Sequence, residues 1–194
     1  MSSREKILKE IANNKPSLVP LPHLDFEKDV QDFVQNYLEV LHSIGGKGKL
    51  VDGWNEVQLF LQQKITEGLQ VANAIAHLAP YNIDAFSAKS RDEIKSVHTV
   101  FLEGGVAVAE NAAIWVTEGS MGNRMLPFIC EELVLVIDEQ NIVASMHDAY
   151  SKISTNQDGY GVFIAGPSKT ADIEQSLVIG AHGPLSLQVF VLAQ

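Results

Sequence analysis

The sequence predicts an α/β domain, and three observations carry that expectation. Segments with apolar residues at three-and-four spacing dominate the first half, which is the pattern of amphipathic helices. Short apolar runs bounded by Gly or Pro recur through the second half, which is how buried strands are written. Interleaved helices and short strands imply a sheet covered on its faces by helices. The second half is also denser in strands than a simple alternation, so part of the sheet is expected to be antiparallel or to form a side hairpin.

From Ser3 to Asn13, Ile7, Leu8 and Ile11 lie at helical spacing, with Ser2 or Ser3 as cap. Asn14 to Leu24 contains Pro16, Pro20 and Pro22, which cannot continue a helix, so an extended connector is expected. It is a surface strap, or alternatively a lid or dimer arm. Asp25 to Ile44 is the clearest helix, with Asp25 capping its start and Gly45-Gly46 stopping its end. Lys49 to Val51 is a candidate strand, and Trp54 to Thr66 returns to helical spacing through Val57, Phe60, Leu61 and Ile65. Leu69 to Pro80 reads equally as strand or helix turn, and Asp84 to Ser96 is polar and irregular, with a peripheral helix as the alternative. Val97–Leu102, Val106–Ala109, Ala113–Val116 and Leu133–Ile137 are strand-like, and Val143 to Ile153 suits a helix. Three more strands, Val162–Ala165, Leu177–Ile179 and Leu187–Leu192, complete the chain. Residues 1–24 are expected to be an appendage, and residues 25–194 a single α/β domain.

Composition narrows the function classes. With 194 residues, 46% apolar and 20% charged, the chain matches an ordinary globular protein. The formal net charge of −10 argues against a nucleic-acid partner, because phosphates require clustered Lys and Arg. No apolar run is long enough for a membrane span, and the charged N-terminus lacks the apolar core of a secretory signal. A cytoplasmic protein is expected. Cys130 is the only cysteine, so the chain holds neither an internal disulfide nor an iron–sulfur cluster of its own. Its setting between Ile129 and Glu131 suits a buried structural thiol. No His, Asp and Glu spacing reads as a metal site. Met146-His147-Asp148, for example, points its side chains to different faces of a helix.

Candidate chemistry gathers in three stretches. The first is the polar loop Gly166-Pro167-Ser168-Lys169-Thr170-Ala171-Asp172. If the chain turns there, the N–H groups of Ser168, Lys169 and Thr170 can converge on an anion, with Lys169 adding charge. Asp172 can orient Lys169 or Thr170, or cap a helix. The alternative is a tight turn. It is not a Walker A loop, because Ser168 stands where the second glycine is required. The second stretch is Gly180-Ala181-His182-Gly183-Pro184. The glycines leave room for a ligand, and the ordinary pKa of His, near 6.5, suits proton transfer. A hydrogen-bonded structural His is the alternative. The third stretch runs from Gly104 to Pro127. Glu110 and Asn111 end one apolar run there, and Thr117 and Glu118 end the next. Arg124 follows in a glycine-flanked turn and can clamp a carboxylate or phosphate with two parallel hydrogen bonds. Glu110 or Glu118 can serve as a base. Turn residues with Arg124 paired to a nearby acid are the alternative.

The stretch GPSKTADIEQSLVIGAHGP resembles the C-terminal signature of the lactate utilization protein C (LutC/YkgG) family, or LUD domain. That signature is a Gly-Pro-Ser-basic-Thr-Ala-Asp-Ile segment followed by Gly-x-His-Gly-Pro. The resemblance extends over residues 97–192, and over the first half only in general layout. One departure stands in the middle. Many members carry Ala-Ile-Ala-Glu-Thr-Gly-Thr, then an Arg and a Leu-Pro pair. Here the run is Ala113-Ile114-Trp115-Val116-Thr117-Glu118-Gly119, followed by Arg124 and Leu126-Pro127, so the Thr-Gly-Thr core is lost.

The resemblance implies a three-layer α/β/α Rossmann-like sheet of the ribose-phosphate isomerase/CoA transferase type. It implies an accessory role in a bacterial system oxidising L-lactate to pyruvate, beside iron–sulfur subunits, with a small anionic ligand at the Gly166–Asp172 loop. Two other readings stay open: a stand-alone enzyme acting on a phosphorylated sugar, CoA or folate substrate, and a non-catalytic interaction module. Cofactor identity and homo-oligomerisation are left open.

Overall fold

The computed structural model describes residues 2–17, 19–20, 32–153, 159–171, 177–179 and 182–193, with backbone alone at 170–171 and 177–179. The elements follow in chain order. Helix α1 (Ser3–Asn13) is followed by α2 (Phe33–Ser43), β1 (Lys47–Val51), α3 (Trp54–Thr66), β2 (Val71–Asn73), α4 (Asp84–Ser87) and α5 (Arg91–Ile94). Next come β3 (Thr99–Glu103), β4 (Val106–Val108), β5 (Ile114–Thr117), α6 (Glu118–Met121), α7 (Leu126–Ile129) and β6 (Glu132–Asp138). After a 3-10 turn (Glu139–Asn141) come β7 (Ile142–Val143), α8 (Met146–Lys152), β8 (Gly161–Ile164), β9 (Lys169–Ala171), β10 (Leu177–Ile179) and β11 (Ser186–Leu192).

Five of these strands form a parallel sheet in the order β1-β11-β6-β3-β2. Strand β6 shows why it sits at the centre. Leu133, Leu135 and Ile137 point to one face and Val134 and Val136 to the other, and all five are buried. A strand apolar on both faces is stable only when both faces are covered. Helix α3 covers one face with Val57 and Leu61, against Phe101 and Phe190. Tyr37 and Leu41 of α2, the short helices and the inner side of a second sheet cover the other. The result is the expected three-layer α/β/α Rossmann-like arrangement. The second sheet, in the order β7-β4-β5-β8, is mixed, with β4–β5 and β5–β8 antiparallel. Its outer side packs Val106, Val108 and Trp115 under Ala149 of α8. This is the antiparallel part that the strand-dense second half foretold.

Local differences from the sequence expectations have local causes. The helix expected from Asp25 is seen from Phe33, where Asp32 caps it by accepting the Gln35 N–H at 2.9 Å. Residues 21–31 lie outside the described residues. The helix expected from Val143 begins at Met146, because Ser145 and Asp148 form a reciprocal capping box there and leave Ile142–Val143 free to pair with β4. Within the stretch read as a polar loop, Lys169–Ala171 is instead strand β9, paired antiparallel with β10. Strand β8 is half-buried at the edge of the second sheet rather than buried. Helix α1 carries a capping box at Ser2 and Glu5 but no buried residue, so Ile7, Leu8 and Ile11 face solvent. Among the described residues no helix is long and apolar enough to cross a membrane.

Candidate functional site

The chain leaves the carboxyl end of β3, forms the β4–β5 hairpin, and returns along β5 to the amino end of the parallel sheet. Thr117 ends that return. Its hydroxyl accepts the Ser120 N–H at 3.4 Å and starts the single turn of α6. The turn aims Glu118 at Arg124. The Arg124 Nε and Nη2 donate to the two carboxylate oxygens at 2.5 and 2.7 Å. This bidentate hydrogen bond holds the Glu118 carboxyl below the usual carboxylate range and raises Arg124 further. The Tyr160 ring lies 5.0 Å from the guanidinium carbon, and the Tyr160 carbonyl accepts the Glu118 N–H at 2.8 Å.

Asn123, nearly buried, ties a second segment to this turn. Its Nδ2 donates to the carbonyls of Phe86 and Lys89 at 2.9 and 3.1 Å, while its Oδ1 accepts the Met125 N–H at 3.0 Å. The α4–α5 connection, and Arg91 just beyond it, are thereby held beside Arg124. The third segment arrives from the other side. His182, Gly183 and Pro184 lead into β11, and the Pro184 carbonyl accepts the Ser168 N–H at 2.9 Å. A Cβ added to Gly183 would lie 3.1 Å from the Ser168 Cβ, so glycine permits this close approach.

These segments enclose one groove of about 720 Å³ at the amino ends of β6 and β11. Arg91, Arg124, Tyr160 and His182 supply its polar lining, and Met125, Phe128 and Leu185 part of its apolar lining. Cys130 forms a buried part of the wall, and burial pushes its thiol up to about 12.

The sequence candidates divide by position. Arg124 and His182 meet in the groove, with Glu118 held against Arg124 and Ser168 reaching it through Gly183. The Ser168 N–H is spent on Pro184, and β9 has strand geometry, so the converging turn of N–H groups expected there does not form. Gly166 takes a left-handed turn at φ 70° against Ile44. Lys169 lies over Gly45, with Nζ 3.5 Å from where a Cβ would stand, so its ammonium is beside the α2–β1 turn. Thr170 is described only as backbone, and Asp172 lies outside the described residues. Glu110 and Asn111 sit at the opposite end of β5 from Thr117. Glu110 accepts the Met146 N–H at 2.8 Å and so caps α8, and Asn111 accepts the Ala113 N–H at 3.0 Å across a turn where Ala112 has φ 56°. Sequence reasoning missed Arg91, which sits in a polar stretch with no spacing that links it to Arg124, and it missed Tyr160.

A second cleft, of about 370 Å³, opens at the carboxyl ends of the parallel strands. Trp54 and His77 stack there with ring centroids 4.9 Å apart, beside Glu103, Asp138 and Asn141. Open α/β sheets commonly bind ligands at that end. Of the three candidate stretches, Gly104 at the start of the third is the one described residue that lines it.

Comparison with known proteins decides the family. The LUD domain model matches residues 27–192. The chain belongs to the LUD domain family. The match reaches well before residue 97, where the sequence motifs alone ended. Curated relatives include "Lactate utilization protein C" of Geobacillus sp. (strain WCH70), 30% identical over 93 residues that cover 45% of this chain and 39% of that protein. Another, from Shouchella clausii (strain KSM-K16), is 31% identical over 110 residues, covering 54% of this chain and 47% of that protein. The matched stretch thus spans less than half the length of these relatives. Among solved structures, a DUF162 family protein from Deinococcus radiodurans superposes with a TM-score of 0.64 at 18% identity, covering 83% of this chain and 96% of the other. That likeness concerns the fold. Within this LUD domain, Thr117–Leu126 lies about forty residues before the C-terminal motif, yet it meets that motif's Gly166–Ser168 and His182–Pro184 segments at one end of the sheet.

Proposed function

We propose that this LUD domain is an accessory component of a bacterial iron–sulfur system that oxidises L-lactate to pyruvate. In this reading it binds a small anionic ligand where the motif segments meet, residues 25–194 act as one domain, and residues 1–24 are an appendage. The observation that carries the ligand site is the convergence of these segments on a groove with two arginines and a histidine, in a chain whose net charge is −10. Arg91 and Arg124 neutralise the anion, and His182 lines the same groove. Lactate oxidation releases two electrons. With a single cysteine the chain cannot hold a Cys-ligated cluster to receive them, so they pass to partner subunits. The names of the relatives support the lactate assignment.

The test is a thermal-shift panel of L-lactate, pyruvate, CoA, ATP, sugar phosphates and folates, run on the chain and on Arg124→Ala and Lys169→Ala. A ligand at a hundred times its Kd adds about 2.7 kcal/mol. A shift lost in Arg124→Ala is the expected result, together with co-purification of iron–sulfur subunits. Silence across the panel and no co-purified subunit would sink the proposal.

One observation favours a second reading, a stand-alone enzyme: the carboxyl-end cleft with Trp54, His77, Glu103 and Asp138. Trp54 reports on it directly. A substrate that changes Trp54 fluorescence, and binds Arg124→Ala as well as the native chain, places the chemistry at that end instead.

A further inference from the structure

The groove's apolar lining bears on what kind of anion it takes, given that it is a ligand site as proposed above. Met125, Phe128 and Leu185 are 37%, 38% and 51% exposed, and all three open onto this groove. Large side chains left in water along one concave surface mark a surface that something covers. At about 720 Å³ the groove falls within the roughly 300–1,000 Å³ typical of sites for drug-sized ligands. An anion of lactate's size would leave the apolar wall wet. Of the two arginines, Arg124 is committed to Glu118, whereas Arg91 has no ion-pair partner among the described residues. Asn123 holds the segment before Arg91 in place, so the Arg91 guanidinium is brought to the groove by a built contact.

We infer that the groove's ligand is an anion carried on an extended apolar body, with its charged head at Arg91 and its body along Met125, Phe128 and Leu185. Both kinds of side chain line the same groove, so one molecule can satisfy both. Arg91 is then the main head-group residue, and Arg124, whose charge is shared with Glu118, assists beside it.

The test is calorimetric titration of the full chain with straight-chain carboxylates from acetate to decanoate, beside L-lactate and inorganic phosphate. Affinity is expected to rise with chain length by up to about fourfold per methylene. Arg91→Gln should weaken the whole series about three- to tenfold and leave the dependence on length intact. The double variant Met125→Ser, Phe128→Ser should flatten that dependence. Both side chains are exposed, and circular dichroism confirms that the variant is folded. Equal affinity for acetate and decanoate overturns the inference, as does a length dependence that persists in the double variant. If L-lactate or phosphate binds in an Arg124-dependent way with no effect of chain length, only the inference fails. If no anion binds, the ligand-site proposal fails with it.

Discussion

Glu118 and Arg124 show how much one contact decides. The sequence left two readings for Arg124, a ligand clamp or the partner of a nearby acid, and the structure makes the second of these contacts with both guanidinium donors. Because Arg124 holds the Glu118 carboxyl below its usual range, the pair is intact at neutral pH and is lost as pH falls through that depressed value. Glu118→Gln should therefore strengthen anion binding at the groove by roughly two- to fivefold, the scale of an exposed ion pair. Titration of native and variant chains checks this, and weaker binding in the variant would mean that Glu118 itself contacts the ligand. Cys130 makes the opposite case, of a residue silenced by its surroundings. With its thiol pushed up to about 12 by burial, only about one thiol in ten thousand is ionised at pH 8. Disulfide-exchange labelling at pH 8 should be slow in the folded chain and fast in denaturant, and rapid labelling of the folded chain would contradict the buried thiol. The folded state holds this proton more tightly, so its contribution is complete below the ordinary thiol value near 8.5 and is lost as pH rises toward about 12.

Single elements depend on contacts that no local pattern announces. Strand β8 reads as an apolar run starting after a glycine, and the glycine looks like punctuation. In the fold Gly161 is a packing requirement, because a Cβ there would stand 2.2 Å from Trp115 Cζ2 and 2.5 Å from Cη2. The indole cannot retreat easily, since its other neighbour is the Phe163 ring with centroids 4.9 Å apart. Gly161→Ala should cost about 1–3 kcal/mol in a urea titration, the usual range for overpacking. A cost near zero would show that Trp115 has space to move. Helix α3 is the contrary case. Its bounds, Trp54 to Thr66, are those that the apolar spacing predicts, because amphipathic period and turn residues are local. Strand β10 has the bounds that the sequence predicts, whereas β9 is not legible because Lys-Thr-Ala carries no alternation, and only pairing with Leu177–Ile179 makes it a strand.

At the scale of the whole molecule, the sheet joins the ends of the described domain. Strand β11 lies between β1 and β6, pairing Lys47 with Gln188 on one side and Leu133 with Leu187 on the other. Deleting residues 186–193 removes this interior strand together with the buried Leu187, Val189, Phe190 and Val191. The truncated chain is expected to lose cooperative unfolding altogether, which circular dichroism across a urea series reads directly. A sharp transition would mean that β1 can close against β6 alone. Identity to the Deinococcus structure is low, but the fold is shared. The superposition on the Deinococcus structure covers 83% of the chain at 18% identity, as expected where shape and apolar patterning hold the fold.

By itself the sequence determined the α/β class, the bounds of α1 and α3, most strands of the second half, and the three motif segments. All of these depend on residues within a few positions of one another, through helical or strand period, glycine punctuation and capping. Only the tertiary structure decided that the segments from Thr117, Gly166 and His182 meet at the amino end of the parallel sheet. It also decided that Arg91 joins them through Asn123, that Glu110 is spent capping α8, and that a separate polar cleft occupies the carboxyl end. Those facts follow from the strand order β1-β11-β6-β3-β2, which is set by burying both faces of β6 and β11. That burial is a property of side chains more than a hundred residues apart, and no window along the chain contains it.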